Sequence, residues 1–164
     1  MKRPTLIALI AVVAFLTAGT AAAGLGIPKP RPTDLAKPFT GAAVNRAWLG
    51  TWKLSGGDNA GVLWRFYPAS SPWCRSITAG RTTCFTLRPP GHLELWAGAV
   101  TLAGGKVILR MTYRPRPNTF GCFVDDAYTY RISATTIRFL RGGPHACFFD
   151  QPADFPVTLA RRTP

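Results

Sequence analysis

Residues 47–54 read Ala47-Trp48-Leu49-Gly50-Thr51-Trp52-Lys53-Leu54. Two tryptophans stand four positions apart around a Gly-Thr pair, at the head of a region whose periodicity is that of strands. Glycine weakens a strand interior and often marks a place where another group must approach the backbone closely. Gly50, two residues before the bulky Trp52, therefore needs a structural reason.

Working outward from this stretch, the period of two is sustained. Lys106–Arg114 alternates Val107, Leu109, Met111 and Tyr113 against Arg110, Thr112 and Arg114. Tyr128, Tyr130 and Ile132 oppose Thr129 and Arg131, while Ile137 and Phe139 oppose Arg138. Val62, Trp64 and Phe66 oppose Arg65, and Phe155, Val157 and Leu159 form a last apolar set. Such alternation marks sheets with one buried face. Turn signals separate the runs at Gly56-Gly57-Asp58-Asn59, Pro89-Pro90-Gly91, Gly104-Gly105, Pro115 to Pro117 and Gly142-Gly143-Pro144. No long 3.6-residue apolar period occurs after the first residues. Short connections between about eight strands predict an all-β, antiparallel domain, either an up-and-down eight-stranded barrel or a β-sandwich.

The first 23 residues have a different character. Lys2 and Arg3 precede an apolar run from Leu6 to Leu16, and Ala21-Ala22-Ala23 ends the segment. This layout predicts a signal peptide over 1–23 with cleavage after Ala23, because the run is well short of the roughly 20 residues a spanning helix needs. Residue 24 is glycine, so a lipid anchor on a cysteine is not indicated, and the expected location is secreted. Residues 24–44 carry Pro28, Pro30, Pro32 and Pro38. They read as a stiff, poorly ordered proline-rich arm. Residues 41–47 read as a short helical turn, and the domain is expected over 45–164.

Cys74, Cys84, Cys122 and Cys147 allow three pairings. In an exported chain they read as disulfides. Cys74–Cys84 and Cys122–Cys147 are favoured because each joins sequence neighbours around an expected hairpin. A metal site using His145 and Cys147 lacks the close Cys-x2-Cys pair usual for zinc, so neither metal nor cofactor is expected. The formal charge is +13, of which Lys2 and Arg3 carry two. The remaining excess favours anionic partners.

Gly50-Thr51-Trp52, at the first strand of a meander, resembles the G-x-W signature of the lipocalins and the wider calycin group. Tyr130-Arg131-Ile132-Ser133, continuing through Ile137 to Cys147, is similar to a hairpin of small bacterial exported proteins described as lipocalin-like. The T-D-Y signature of lipocalins is absent, Asp126-Ala127-Tyr128 being a loose echo. The resemblance covers roughly 45–162. It implies an up-and-down barrel in which Trp52 plugs one end and a basic residue after the last strand, Arg161 or Arg162, packs across its ring. It also implies an interior that either encloses a small apolar ligand or is filled by its own large side chains.

Catalytic machinery is not visible. His92 and Glu94 fall two apart on one expected strand face, but neither G-x-S-x-G nor H-E-x-x-H occurs. Asp125 and Asp126 are adjacent, so a strand would aim them to opposite faces; they read as a loop serving nearby arginines. Arg65, Arg110, Arg114, Arg131 and Arg138 fall on the expected outer face as solvated cations. Nucleic-acid binding is not expected, because the aromatics fall mostly on the opposite face. The expected inner face includes Trp64, Phe85, Leu93, Leu95, Tyr113, Tyr130 and Phe139. Tyr113, Tyr128 and Tyr130, with Trp64 and Phe139, are the candidate ligand-binding residues, since buried phenols need hydrogen-bond partners. The leading expectation is non-catalytic binding of a small apolar or amphipathic molecule. The alternative is a basic module that binds an anionic envelope surface or another protein through its outside. The sequence leaves the oligomeric state open.

Overall fold

The structure, a computed structural model, describes residues 26–56, 60–93, 95–115, 124–143 and 156–162. Eight strands form one closed barrel: β2 (Gly50–Ser55), β3 (Leu63–Tyr67), β4 (Cys84–Arg88), β5 (Trp96–Ala103), β6 (Lys106–Tyr113), β7 (Asp126–Ile132), β8 (Thr136–Gly142) and β9 (Val157–Arg161). Each pairs antiparallel with the next, and β9 returns to β2 with Leu54 opposite Leu159. This is the up-and-down barrel rather than the sandwich. Closure leaves none of the eight strands as an exposed edge.

The core follows from the alternation. Trp52, Leu54, Trp64, Phe66, Phe85, Val100, Val107, Leu109, Tyr128, Ile137, Phe139 and Leu159 are buried together inside the barrel. Gly98 of β5 belongs to the same inner face, opposite Phe85. A Cβ there would sit 2.2 Å from the Arg110 carbonyl oxygen, so only glycine lets β5 and β6 approach as they do.

Two bulges change the expected phase of side chains. In β5–β6, Gly98 faces Met111 but Ala97 faces Tyr113, so β6 carries one extra residue. In β7–β8, Thr129 faces Arg141 but Tyr130 faces Phe139, so Leu140 is the extra residue. Strict alternation has no way to register either insertion.

Around Gly91 the strand expectation fails. Leu93, placed inward by the sequence reading, is 78% exposed, and β5 begins only at Trp96. The Pro89-Pro90-Gly91 turn runs longer than its residues alone imply.

A second apolar cluster lies outside the barrel wall, where Tyr67, Cys74, Ile77, Cys84 and Ala97 pack together beneath helix α1 (Pro72–Ile77). The helix has Pro72 at its first position and is capped by Ser71, whose hydroxyl accepts from the Cys74 amide at 3.1 Å. The Cys74–Cys84 disulfide ties α1 to β4. With a sequence separation of 10, it removes about 3 kcal/mol of denatured-state entropy in the chain-entropy model. Cys122, Cys147, His145, Glu94, Phe155 and the expected signal peptide lie outside the described residues.

The proline-rich arm is not the loose leader its composition implies. Residues 26–40 lie along the outer wall, where the Pro28 carbonyl accepts from Ser76 and the Thr40 carbonyl from Thr101, and Val44 joins the barrel core with its amide donating to Thr83 at 3.0 Å. Where a helical turn was expected over 41–47, Ala42–Ala43 form a two-residue strand, β1, beside β5. A 3-10 turn follows at Arg46–Trp48, capped by Asn45.

Candidate functional site

One end of the barrel is stapled shut by residues 47–54 and the last strand. Trp52 is fully buried, and its indole Nε1 donates to the Trp48 carbonyl at 2.8 Å. Arg161 stands directly opposite Trp52 in the β2–β9 ladder, with its guanidinium carbon 4.2 Å from the indole centroid. Its fork donates to three carbonyls: Ala134 at 2.8 Å, Leu49 at 3.2 Å and Ala47 at 2.7 Å. Cation–π attraction and three satisfied carbonyls thus converge on one side chain. Arg162, the other candidate, contributes a backbone bond to Thr51 instead.

Gly50 now has its reason. Its φ is +113°, a left-handed backbone conformation that side-chain-bearing residues rarely adopt. A Cβ there would also lie 3.5 Å from Arg161 Nη1. That distance is an ordinary contact, so it is the positive φ of the turn out of the 3-10 segment that calls for glycine here.

Inside, the aromatic side chains touch in sequence. Trp48 meets Tyr130 at 4.9 Å and Phe66 at 5.6 Å between ring centroids; Trp64 meets Phe85 at 5.1 Å; Tyr128 meets Phe139 at 5.7 Å. Trp48, read only as the start of the strand region, enters the barrel from below and is fully buried. Four of the five candidate ligand residues, Trp64, Tyr128, Tyr130 and Phe139, therefore belong to one interior ring cluster. The Tyr128 hydroxyl donates to the carboxylate of Asp126, which is also buried and shares the inner face. That places one polar pair within an apolar wall.

Tyr113 does not join them. The β5–β6 bulge turns it outward, where it packs against the cluster under α1. Trp96, which alternation around Leu93 and Leu95 had hidden, takes an inner position instead. A cross-strand row of inward residues runs Trp52, Trp64, Leu87, Trp96. It passes from complete burial at Trp52 to partial exposure at Leu87 and Trp96. Strand direction puts Leu87 and Trp96 at the end away from the Trp52 plug.

The outer face departs from expectation at Arg110, which was read as solvated. It is only 3% exposed. Its guanidinium donates to the Pro38 carbonyl at 2.9 Å, pairs with Asp125 at 3.2 Å, and stacks 4.3 Å from the Phe39 ring centroid. Burial pushes its pKa below the ordinary arginine value; Asp125 opposes this and Arg81 adds to it. Arg81 covers Phe39 from another side at 5.1 Å. Asp125 also pairs with Lys37 at 3.2 Å. Asp125 and Asp126 thus serve opposite faces of the wall. His92 is exposed. Among the described residues no three His, Cys, Asp or Glu side chains come together.

No known protein family, curated protein or solved structure matches the chain.

Proposed function

We propose that this protein is a non-catalytic binding protein of lipocalin-like type, taking a small apolar or amphipathic molecule at the barrel end opposite the Trp52 plug. The observation that carries the reading is the row Trp52, Trp64, Leu87, Trp96, whose exposure rises from nil at the plug to partial at the far end. Apolar surface still reachable by water at the mouth of a closed barrel is the kind of surface a ligand covers. The tight ring cluster around Trp48, Phe66 and Phe85 fills the plugged half, so the ligand sits above it and not among those rings. The Asp126–Tyr128 pair supplies a polar group for orienting an amphipathic guest. The plug formed by Gly50, Trp52 and Arg161, together with the up-and-down barrel, supports a place in the calycin group.

The test uses the neutral fluorophore N-phenyl-1-naphthylamine. Saturable one-to-one uptake is expected, unchanged between low and high salt because screening acts on exposed charges. Trp96→Ala should weaken uptake by about tenfold, as loss of an aromatic anchor does. Absence of uptake by folded protein, or uptake indifferent to Trp96→Ala, would contradict the reading.

A further inference from the structure

The β7–β8 bulge has a consequence on the outside of the barrel. Arg138 and Arg141 are three residues apart, a spacing that would send them to opposite faces of a regular strand. With Leu140 as the extra residue, both point outward, Arg138 opposite Arg131 and Arg141 opposite Thr129. Lys106 of β6 flanks Thr129 from the other side. All four cations are exposed.

Between Lys106 and Arg141 lies a cleft of about 420 Å³, floored by Ala127, Thr129, Gly142 and Gly143. The floor carries small side chains or none, and the two walls are cationic. No carboxylate among the described residues balances these cations. Asp34 pairs with Arg31, Asp125 with Lys37 and Arg110, and Asp126 is inside the barrel. Like charges directly opposite in a ladder, as Arg131 and Arg138 are, destabilise the sheet. Among the described residues this face gathers four cations and no acid, so an anionic partner laid on it would offset that repulsion.

We propose that this outer face of β6, β7 and β8 binds a linear phosphodiester polymer lacking bases, with one phosphate held between Lys106 and Arg141 and the next near Arg131 and Arg138. Arg141 and Arg138 sit at ladder positions two apart on the β7 scale, about 6.6–7 Å along a strand. That is a spacing suited to successive phosphates of an extended chain. Arginine offers phosphate a planar two-pronged donor, and lysine a point charge. Among the described residues, the cleft lining contains no aromatic side chain to stack a base and no large apolar one to enter a bilayer. The site is independent of the barrel mouth, so either assignment can fail without the other.

The experiment titrates the protein with poly(glycerol phosphate) at two salt concentrations. Inorganic phosphate, phosphatidylglycerol vesicles and single-stranded DNA are run alongside. Binding to the polymer should be salt-sensitive and tighter than to the other three. Arg131→Ser with Arg138→Ser, and separately Lys106→Gln with Arg141→Gln, should each lower polymer affinity by about tenfold. Lys53→Gln with Arg75→Gln removes the same charge from other exposed positions and should leave affinity within about twofold. Equal losses in the control pair would show that net charge alone attracts the polymer and overturn the site. Tighter binding to vesicles or to DNA, or no polymer binding by folded protein, would overturn it as well.

Discussion

Arg161 and Trp52 face each other across the β2–β9 ladder, and the guanidinium of one covers the indole of the other at 4.2 Å. The contact joins the first and last strands of the barrel, so it closes both the wall and one end. Trp52→Ala should cost about 3–5 kcal/mol, the range for large aromatic truncations in a core. Arg161→Lys should also destabilise, by about 1–3 kcal/mol, because an ammonium does not reproduce three donors aimed at the Ala47, Leu49 and Ala134 carbonyls. Gly50→Ala should cost about 1–3 kcal/mol through its positive φ. Denaturant unfolding of the three variants checks these values; unchanged midpoints would remove the plug from the account.

The arm is held by Phe39 between Arg81 and Arg110. Phe39→Ala removes both cation contacts, each worth about 0.5–2 kcal/mol. Thermolysin cleavage of the arm on the amino side of Leu35 should accelerate in this variant while the barrel remains intact. Arg110→Ala should be the more damaging change, because it removes the bond to the Pro38 carbonyl, the ion pair with Asp125 and the cover over Phe39 together, leaving Asp125 only Lys37 and Thr40. Cleavage rates equal to those of the parent protein would show that Phe39 does not hold the arm.

Reduction of Cys74–Cys84, or its replacement by alanines, should lower stability by about 3 kcal/mol and loosen α1 first. Hydrogen exchange is the measurement, with faster exchange expected at the Thr78 amide, which donates to the Cys74 carbonyl at 2.9 Å. Protection unchanged across α1 would mean that packing of Ile77 alone holds the helix.

Tyr113 and Tyr128 should behave differently although both are phenols on strands. Tyr113→Ala removes packing under α1 and should lower stability without changing uptake of the neutral fluorophore. Tyr128→Phe retains the ring but removes the hydroxyl that donates to the buried Asp126 carboxylate, a loss of about 1–3 kcal/mol. A large effect of Tyr113→Ala on uptake, with stability preserved, would contradict the outward placement of that residue.

The barrel was legible because its inner face repeats with a period of two over most strands, and because Gly50-Thr51-Trp52 marks the first of them. The Cys74–Cys84 pairing was legible from spacing. What escaped was the effect of insertions. One extra residue in β6 turned Tyr113 outward, and one in β8 brought Arg138 and Arg141 to the same face. Around β5 the true inner set is Trp96, Gly98, Val100 and Leu102. Alternation carried back toward the Pro89-Pro90-Gly91 turn passes over Trp96 and Gly98 and places Leu93 inward, where it is exposed, although Leu95 is buried as expected. Arg110 looked solvated because outward cations on strands usually are; the arm that covers it, at Pro38, comes from 72 residues earlier, and composition alone assigned that arm no contacts. The Ser71-Pro72 helix start was a signal present in the sequence, but six residues give no sustained helical period.

A small molecule held at the barrel end away from Trp52, as proposed, would travel with the protein through purification. Native mass spectrometry of the protein purified from its own host measures this directly. A second species is expected, heavier than the chain by one small-molecule mass, lost on organic extraction and diminished in Trp96→Ala. A single species at the mass of the bare folded chain, from protein that also fails to take up the neutral fluorophore, would contradict it.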